Sequence, residues 1–222
     1  MIRSFNVLNA EAKGMASGTA HPGFFYINES GVIREEFFEG NEFDRYTPNN
    51  VIGKLFPELA EGVSQNVEAP HLRLSLAQSD RIVAPGNRLT LVADIELPPA
   101  VHVYAPQAQG YKPIQLAIKT SPEFALDRAV YPPSKVLYLE AIRERVPVFE
   151  GKFRIMQDVT VTRSPDFFRS LGSGTTITIG GELFYQACDQ KVCYPPTAVP
   201  VKWQLRVVPL DRQRSPESIQ HK

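Results

Sequence analysis

The chain has 222 residues, enough for one large domain or two small ones, and 43% apolar with 22% charged residues is the mix of a globular protein. Its 24 Lys+Arg balance 24 Asp+Glu, and a net charge of zero argues against a duplex nucleic-acid binder, which needs a basic surplus to meet phosphates. No run approaches the ~18 consecutive apolar residues of a transmembrane helix, and the opening MIRSFNVLNAEAKG lacks the charged head and apolar core of a signal peptide.

Residues 1–60 predict strand, loop, hairpin and helix. A short apolar run, Ile2 to Leu8, is the first strand, and a Gly/Ala/Ser loop follows to Ala20. Phe24 to Ile27 and Val32 to Phe38 are strand-like runs joined by Asn28-Glu29-Ser30-Gly31, which is hairpin turn chemistry with Gly where positive φ is needed. Thr47 as N-cap, Pro48 at the first helical position, and Val51, Ile52, Leu55 and Phe56 at helical spacing predict a helix that Pro57 ends. Residues 61–70, small and polar without a period, read as a linker.

From His71 to about residue 210 the pattern is β. HLRLSLAQ and RLTLVADIEL alternate apolar and polar residues, with Pro85-Gly86-Asn87 as the turn between them. VHVYA, PIQLAIKT, VPVFEGKFRIMQDVTVT, TTITIGGELFYQA and AVPVKWQLRVVPL continue the pattern. Pro98-Pro99, Pro132-Pro133, Gly151, Gly172 to Gly174 and Pro195-Pro196 punctuate it. Proline, 19 of 222 residues against an average of about 5%, suits such a turn-rich β chain. Roughly seven to nine short strands in about 140 residues predict an antiparallel sandwich. The polar tail, residues 211–222, is expected to be disordered.

The chain has two cysteines, Cys188 and Cys193, in GELFYQACDQKVCYPPTAVPV. A strand runs into Cys188, Asp189-Gln190-Lys191-Val192 form a loop, and Cys193-Tyr194 begin the return. The mouth of a hairpin brings Cα atoms into the disulfide range of about 4.4–6.8 Å. Cross-link stabilisation grows with loop length, so so short a ring is a weak staple and a suitable place for a reversible bond. Two other uses remain open: a structural disulfide in an oxidising compartment, or free thiols in a reducing one. No cofactor is expected. Zinc lacks a second Cys/His pair downstream; Cu(I) held by Cys188, Cys193 and His102 is a weaker alternative, with no Met-rich motif beside it.

FYQACDQKVCYPP resembles the cysteine segment of the N-terminal periplasmic domain of the DsbD thiol–disulfide interchange family: an aromatic-Tyr-Gln lead-in, two spaced cysteines, then Pro-Pro. LPPAVHVYAPQAQGYKP and PVFEGKFRIMQDVTV resemble further strands of it, so the likeness spans residues 71–208. It implies an immunoglobulin-like sandwich that exchanges disulfides with thioredoxin-fold partners in the periplasm, although no export signal opens this sequence. It implies that Cys193 forms the mixed disulfide and Cys188 resolves it, an exchange that needs a thiolate and an accessible sulfur. Lys191 is a candidate for favouring the thiolate, or a solvated loop lysine. The family shields its cysteines with a cap and flanking aromatics. Tyr104 matches the family's tyrosine, and His102 stands where a tyrosine is often found, as a proton carrier or a packing residue. The cap is expected within residues 131–140, with Tyr138 or Leu137 over the disulfide and Tyr185 as a further supporting aromatic.

HPGFFYINESGVIREEFFEGNEFDRYTPNNVIGKL resembles the C-terminal half of an AhpC/TSA-type redoxin, a partial thioredoxin-like α/β segment. Pro22 stands where that fold carries a cis-proline, or is a plain turn proline. A redoxin keeps its reactive cysteine in its N-terminal half, and none precedes Cys188 here. This segment therefore carries no thiol chemistry of its own, and it suggests a piece of a longer redoxin–sandwich fusion. Two functions from different classes follow for the whole: a thiol–disulfide relay, or a non-catalytic binding sandwich whose short cysteine ring is a local brace.

Overall fold

The computed structural model describes residues 3–40, 43–57, 65–139, 143–189 and 191–210. The strand expected at Ile2 to Leu8 does not form over its described residues, 3–8. Residues 3–6 make a turn in which Asn6 is left-handed, φ 55°, and donates its N–H to the Arg3 carbonyl at 3.2 Å. A left-handed residue interrupts an extended path, and asparagine tolerates that conformation. Leu8 keeps only an isolated bridge to Ala20.

The hairpin forms as its turn residues predict. β1 (Gly23–Ile27) pairs antiparallel with β2 (Ile33–Phe38). Asn28 Oδ1 accepts from the Ser30 and Val32 N–H groups, and Gly31 takes φ 76°. The bond before Pro22 is trans, the form an X–Pro bond prefers unless a tight turn selects cis. Pro22 instead opens the hairpin, its carbonyl accepting from the Glu39 N–H at 3.0 Å. β3 (Arg45–Tyr46) leads into α1 (Pro48–Leu55), whose Thr47 cap accepts from the Asn50 N–H at 3.1 Å.

The remaining elements are β4 (Gln65–Val67), β5 (Arg73–Gln78), β6 (Ile82–Val83), β7 (Asn87–Glu96), β8 (His102–Tyr104) and β9 (Gln115–Ile118). They continue with β10 (Phe124–Leu126), β11 (Lys135–Leu139), β12 (Glu144–Glu150), β13 (Lys152–Val161) and α2 (Pro165–Ser170). β14 (Thr175–Tyr185), β15 (Ala187–Cys188) and β16 (Thr197–Val207) close the chain. β4 lies inside the stretch that composition reads as a linker, and pairs with β5 as an edge strand. The tail 211–222 lies outside the described residues.

Three sheets carry these strands beside the β1–β2 hairpin. One runs β10-β13-β7-β5-β4 with β3 parallel to the start of β7; a second runs β6-β16-β14-β9; a third runs β11-β12-β8-β15. Period-two alternation explains the core. Leu89, Leu91, Ala93 and Ile95 of β7 point inward and share one buried cluster with Ile177, Ile179 and Leu183 of β14 and Val201, Trp203 and Leu205 of β16. Trp203 keeps its indole N–H satisfied on the Ala77 carbonyl at 2.8 Å. The third sheet contributes Val103, Phe149 and Ala187 to the same cluster, so one of its faces is core and the other is free for a site.

The outer face of the first sheet meets α1 through polar contacts. Asn50 Nδ2 donates to Thr90 Oγ1 at 2.9 Å, Thr90 donates to Asp158 at 2.7 Å, and Lys54 pairs with Asp158. Arg88 bonds Glu39 at 2.8 Å and lies over the Tyr46 ring. Burial pushes the Glu39 carboxyl up, against the pull of the Arg88 guanidinium.

Candidate redox site

β14 ends at Tyr185 in the second sheet, and after Gln186 the chain enters the third. Ala187 pairs with Val103 and turns into the main core; Cys188 pairs with His102 and turns to the opposite face. This one-residue alternation takes Cys188 out of the main core and into a second, smaller cluster. Cys188, 1% exposed, packs there with Tyr104, Ala108, Val146 and Val148, flanked by Tyr111, Leu137 and Leu139.

Cys193 returns beside it and is exposed. The Asp189 N–H bonds the Val192 carbonyl and the Tyr194 N–H bonds the Ala187 carbonyl, both at 2.9 Å. These bonds flank the cysteines, which therefore face each other as a narrow, non-hydrogen-bonded pair. Their Cα atoms are 4.0 Å apart and a disulfide joins them.

The loop is held by more than that bond. Asp189 Oδ1 accepts from the Lys191 and Val192 N–H groups at 2.7 and 2.8 Å, and Oδ2 accepts from the Tyr194 hydroxyl at 2.8 Å. Those donors hold the Asp189 carboxyl below its ordinary range. Tyr194 stacks on His71 at 3.7 Å, and its carbonyl accepts from Gln186 Nε2 at 3.0 Å.

Tyr104 is the side chain nearest the chemistry. It is 3% exposed and its hydroxyl lies 3.4 Å from both Sγ atoms. Burial raises its pKa, so the phenol remains protonated and able to donate. His102 is 5% exposed, edge-on to the Tyr104 ring at 5.6 Å, and its Nε2 is buried without a hydrogen-bond partner among the described residues. Burial lowers its pKa despite the Glu150 and Asp189 carboxylates, which keeps the ring neutral at pH 7.

The structure brings Cys188, Cys193, Tyr104 and His102 together. It does not bring Tyr138 or Tyr185 to them. Tyr138 is half exposed, one residue out of phase with Leu137 and Leu139, which do reach the Cys188 cluster. Tyr185 belongs to the main core; its hydroxyl donates to the Pro70 carbonyl at 2.7 Å, and burial pushes it up to about 12. Glu140, the last residue of the expected cap stretch, lies outside the described residues. Lys191 is exposed and contributes its backbone N–H to Asp189. Sequence reasoning missed Asp189, Tyr111 and Glu144. Asp at the first loop position was a legible signal, because Asp side chains accept from backbone two residues on. Tyr111 and Glu144 had no local signal, being joined only by tertiary packing.

A family model for the N-terminal part of the thiol:disulfide interchange protein DsbD matches residues 74–203. The chain belongs to this DsbD N-terminal family. The match covers the sheets that build the site and both cysteines, and the family's chemistry is thiol–disulfide interchange. No curated protein matches the chain. Among solved structures, the N-terminal periplasmic domain of ScsB from Proteus mirabilis is similar at 10% identity, TM-score 0.41, over 64% of this chain and 49% of that one. The reduced DsbD N-terminal domain of Neisseria meningitidis is similar at 14% identity, TM-score 0.36, over 68% and 91%. The chain thus spans about half the length of the ScsB domain it matches. The redoxin resemblance of residues 1–60 has no counterpart among these matches. Among the described residues, no helix is long and apolar enough to cross a membrane.

Proposed function

We propose that this chain is a thiol–disulfide interchange module that relays electrons between thioredoxin-fold partners through Cys188 and Cys193. The observation that carries the reading is the unequal burial of the two cysteines: Cys193 is exposed and Cys188 is 1% exposed. An incoming thiolate can reach only the exposed sulfur. The partner thiolate attacks Cys193 Sγ, a partner–Cys193 disulfide forms, and the Cys188–Cys193 bond breaks with Cys188 leaving as the thiolate. The Tyr104 hydroxyl, 3.4 Å from that sulfur, donates a hydrogen bond to the charge that develops there. A second partner thiol then attacks its own half of the mixed disulfide and releases Cys193. The partner is oxidised by two electrons and the module is reduced; the reverse sequence passes the pair on. Family membership supports thioredoxin-fold partners and a periplasmic setting.

The bracing alternative is disfavoured by Asp189, which already ties the loop backbone and Tyr194 together. In the same reading residues 1–60 are a thioredoxin-like segment attached to the sandwich of residues 71–210. The β1–β2 hairpin and α1 support it, and without a cysteine it contributes no thiol.

The test is the reduction potential of the pair in the purified chain, equilibrated against glutathione buffers with thiol trapping. A relay is expected roughly between −270 and −120 mV; a value well below about −300 mV would overturn it in favour of a structural bond.

A further inference from the structure

The connection from β8 to β9 folds back over the outward face of the third sheet. The Ala105 N–H donates to the Pro147 carbonyl at 3.0 Å, and the Ile114 N–H donates to the Tyr104 carbonyl at 2.8 Å. The loop therefore leaves and rejoins the sheet at Tyr104. Between these points Ala108 is buried in the Cys188 cluster, and Gly110 takes φ 79°, a conformation that suits glycine, just before Tyr111. The Tyr111 ring packs on the Tyr104 ring, with centroids 4.4 Å apart and planes 30° apart. Its hydroxyl donates to Glu144 Oε2 at 2.6 Å. Glu144 opens β12, opposite Leu139 in register. The Glu144 hydrogen bond and burial push the Tyr111 phenol up to about 12, so it stays a donor across the working pH range.

We propose that Tyr111 and Glu144 are positioning residues for the disulfide exchange. Glu144 anchors the Tyr111 hydroxyl, Tyr111 packs its ring against Tyr104, and Tyr104 is thereby held with its hydroxyl against both sulfurs. Neither residue touches a sulfur. When Cys188 leaves as a thiolate it does so among Val146, Val148 and Ala108, where an unassisted charge is costly. One fixed O–H donor at that sulfur is what the Glu144–Tyr111 contact secures. A tyrosine free to swing away would leave the thiolate in an apolar cluster without a partner. The inference rests on the relay reading of the cysteine pair.

The experiment uses the full chain and a partner-independent readout, the rate constant for reduction of its disulfide by dithiothreitol. Tyr111→Phe keeps the ring and loses the hydroxyl; Glu144→Ala removes the acceptor. Each is expected to slow reduction by roughly three- to tenfold, the range one net hydrogen bond spans. The double variant is expected to be no slower than the slower single one, since both break the same contact. Glu144→Gln, which retains an accepting oxygen, is expected to recover most of the rate. In a Tyr104→Phe background, Tyr111→Phe is expected to change nothing further. A second readout, the pH titration of the Cys188 thiolate by its ultraviolet absorbance in Cys193→Ala chains, should move to higher pH with Tyr111→Phe, which a purely structural role would not cause.

Wild-type rates in both single variants, or a Tyr111→Phe effect that persists without the Tyr104 hydroxyl, would overturn the assignment. The reduction potential keeps the two ideas apart. A potential in the structural range sinks the relay reading and the inference that rests on it, whatever the rates. A potential in the relay range, without the rate pattern, sinks the positioning role alone.

Discussion

Cys193 and Cys188 share one bond but occupy different environments, and that difference sets what substitution of each should do. Cys188→Ala is expected to accumulate mixed disulfides through the exposed Cys193 when mixed with thioredoxin-fold proteins. Cys193→Ala is expected to trap almost none, because its remaining sulfur is buried. Non-reducing electrophoresis of the mixtures checks both. His102 gives a pH-dependent prediction. Its folded-state pKa is lowered below the ordinary 6.5, so the unfolded chain binds its proton first as pH falls. Stability is then full above about pH 6.5 and declines as pH drops towards the folded value. His102→Gln is expected to flatten that decline, read as thermal midpoints across a pH series. The site was partly legible at this scale. The cysteine spacing marks Cys188 and Cys193 as candidates, while Tyr104 and His102 are candidates through the resemblance to the DsbD family. Tyr138 and Leu137 are both cap candidates in the sequence, and alternation puts them on opposite faces without saying which face meets the cysteines; Leu137 is the one that does.

At the scale of elements, β7 carries the core and α1 covers the opposite face. Leu91 is completely buried, and Leu91→Ala is expected to cost about 2–5 kcal/mol, the usual range for a core leucine truncation. Denaturant unfolding measures it. Thr47 has two tasks: its hydroxyl caps α1 and donates to the buried Asp80. Thr47→Ala is therefore expected to reach or exceed the upper part of the ~0.5–2 kcal/mol range of an N-cap loss, because it also removes a partner from Asp80. Thr47→Ser, which keeps the hydroxyl, should recover most of it. These elements were readable from sequence because their causes are local: period two for β7, and a Thr-Pro start followed by helical spacing for α1. β4 was not, since three residues of an edge strand carry too little pattern to rise above a polar connection. The strand expected at Ile2 to Leu8 failed for the converse reason, an apolar run broken by one left-handed asparagine.

For the whole molecule, the third sheet has two faces, one in the main core and one forming the smaller cluster around Cys188. The core of β5, β7, β13, β14 and β16 closes without the sulfurs. Reduction is therefore expected to leave the fold intact. Chain entropy assigns so short a disulfide ring at most about 2 kcal/mol, and the Asp189 contacts restrain the same loop in either redox state. Unfolding free energies of oxidised and reduced protein, from denaturant titrations, should differ by no more than that amount. A much larger loss would mean that the disulfide is a structural staple and would favour the bracing function.

What the residue order determined alone is whatever depends on near neighbours: the β class from alternation and proline-rich turns, the Asn28–Gly31 turn, the Thr47 cap, and the closeness of Cys188 and Cys193 in one hairpin. Tertiary structure decided what depends on which distant segments share a face. It placed Cys188 in a second cluster by a strand that changes sheets after Gln186, set the unequal exposure of the two cysteines, removed Tyr185 to the main core, and brought Tyr111, bonded to Glu144, over Tyr104. The physical reason is that a strand's period tells which residues share a face, while only the pairing of strands far apart in sequence tells what that face meets.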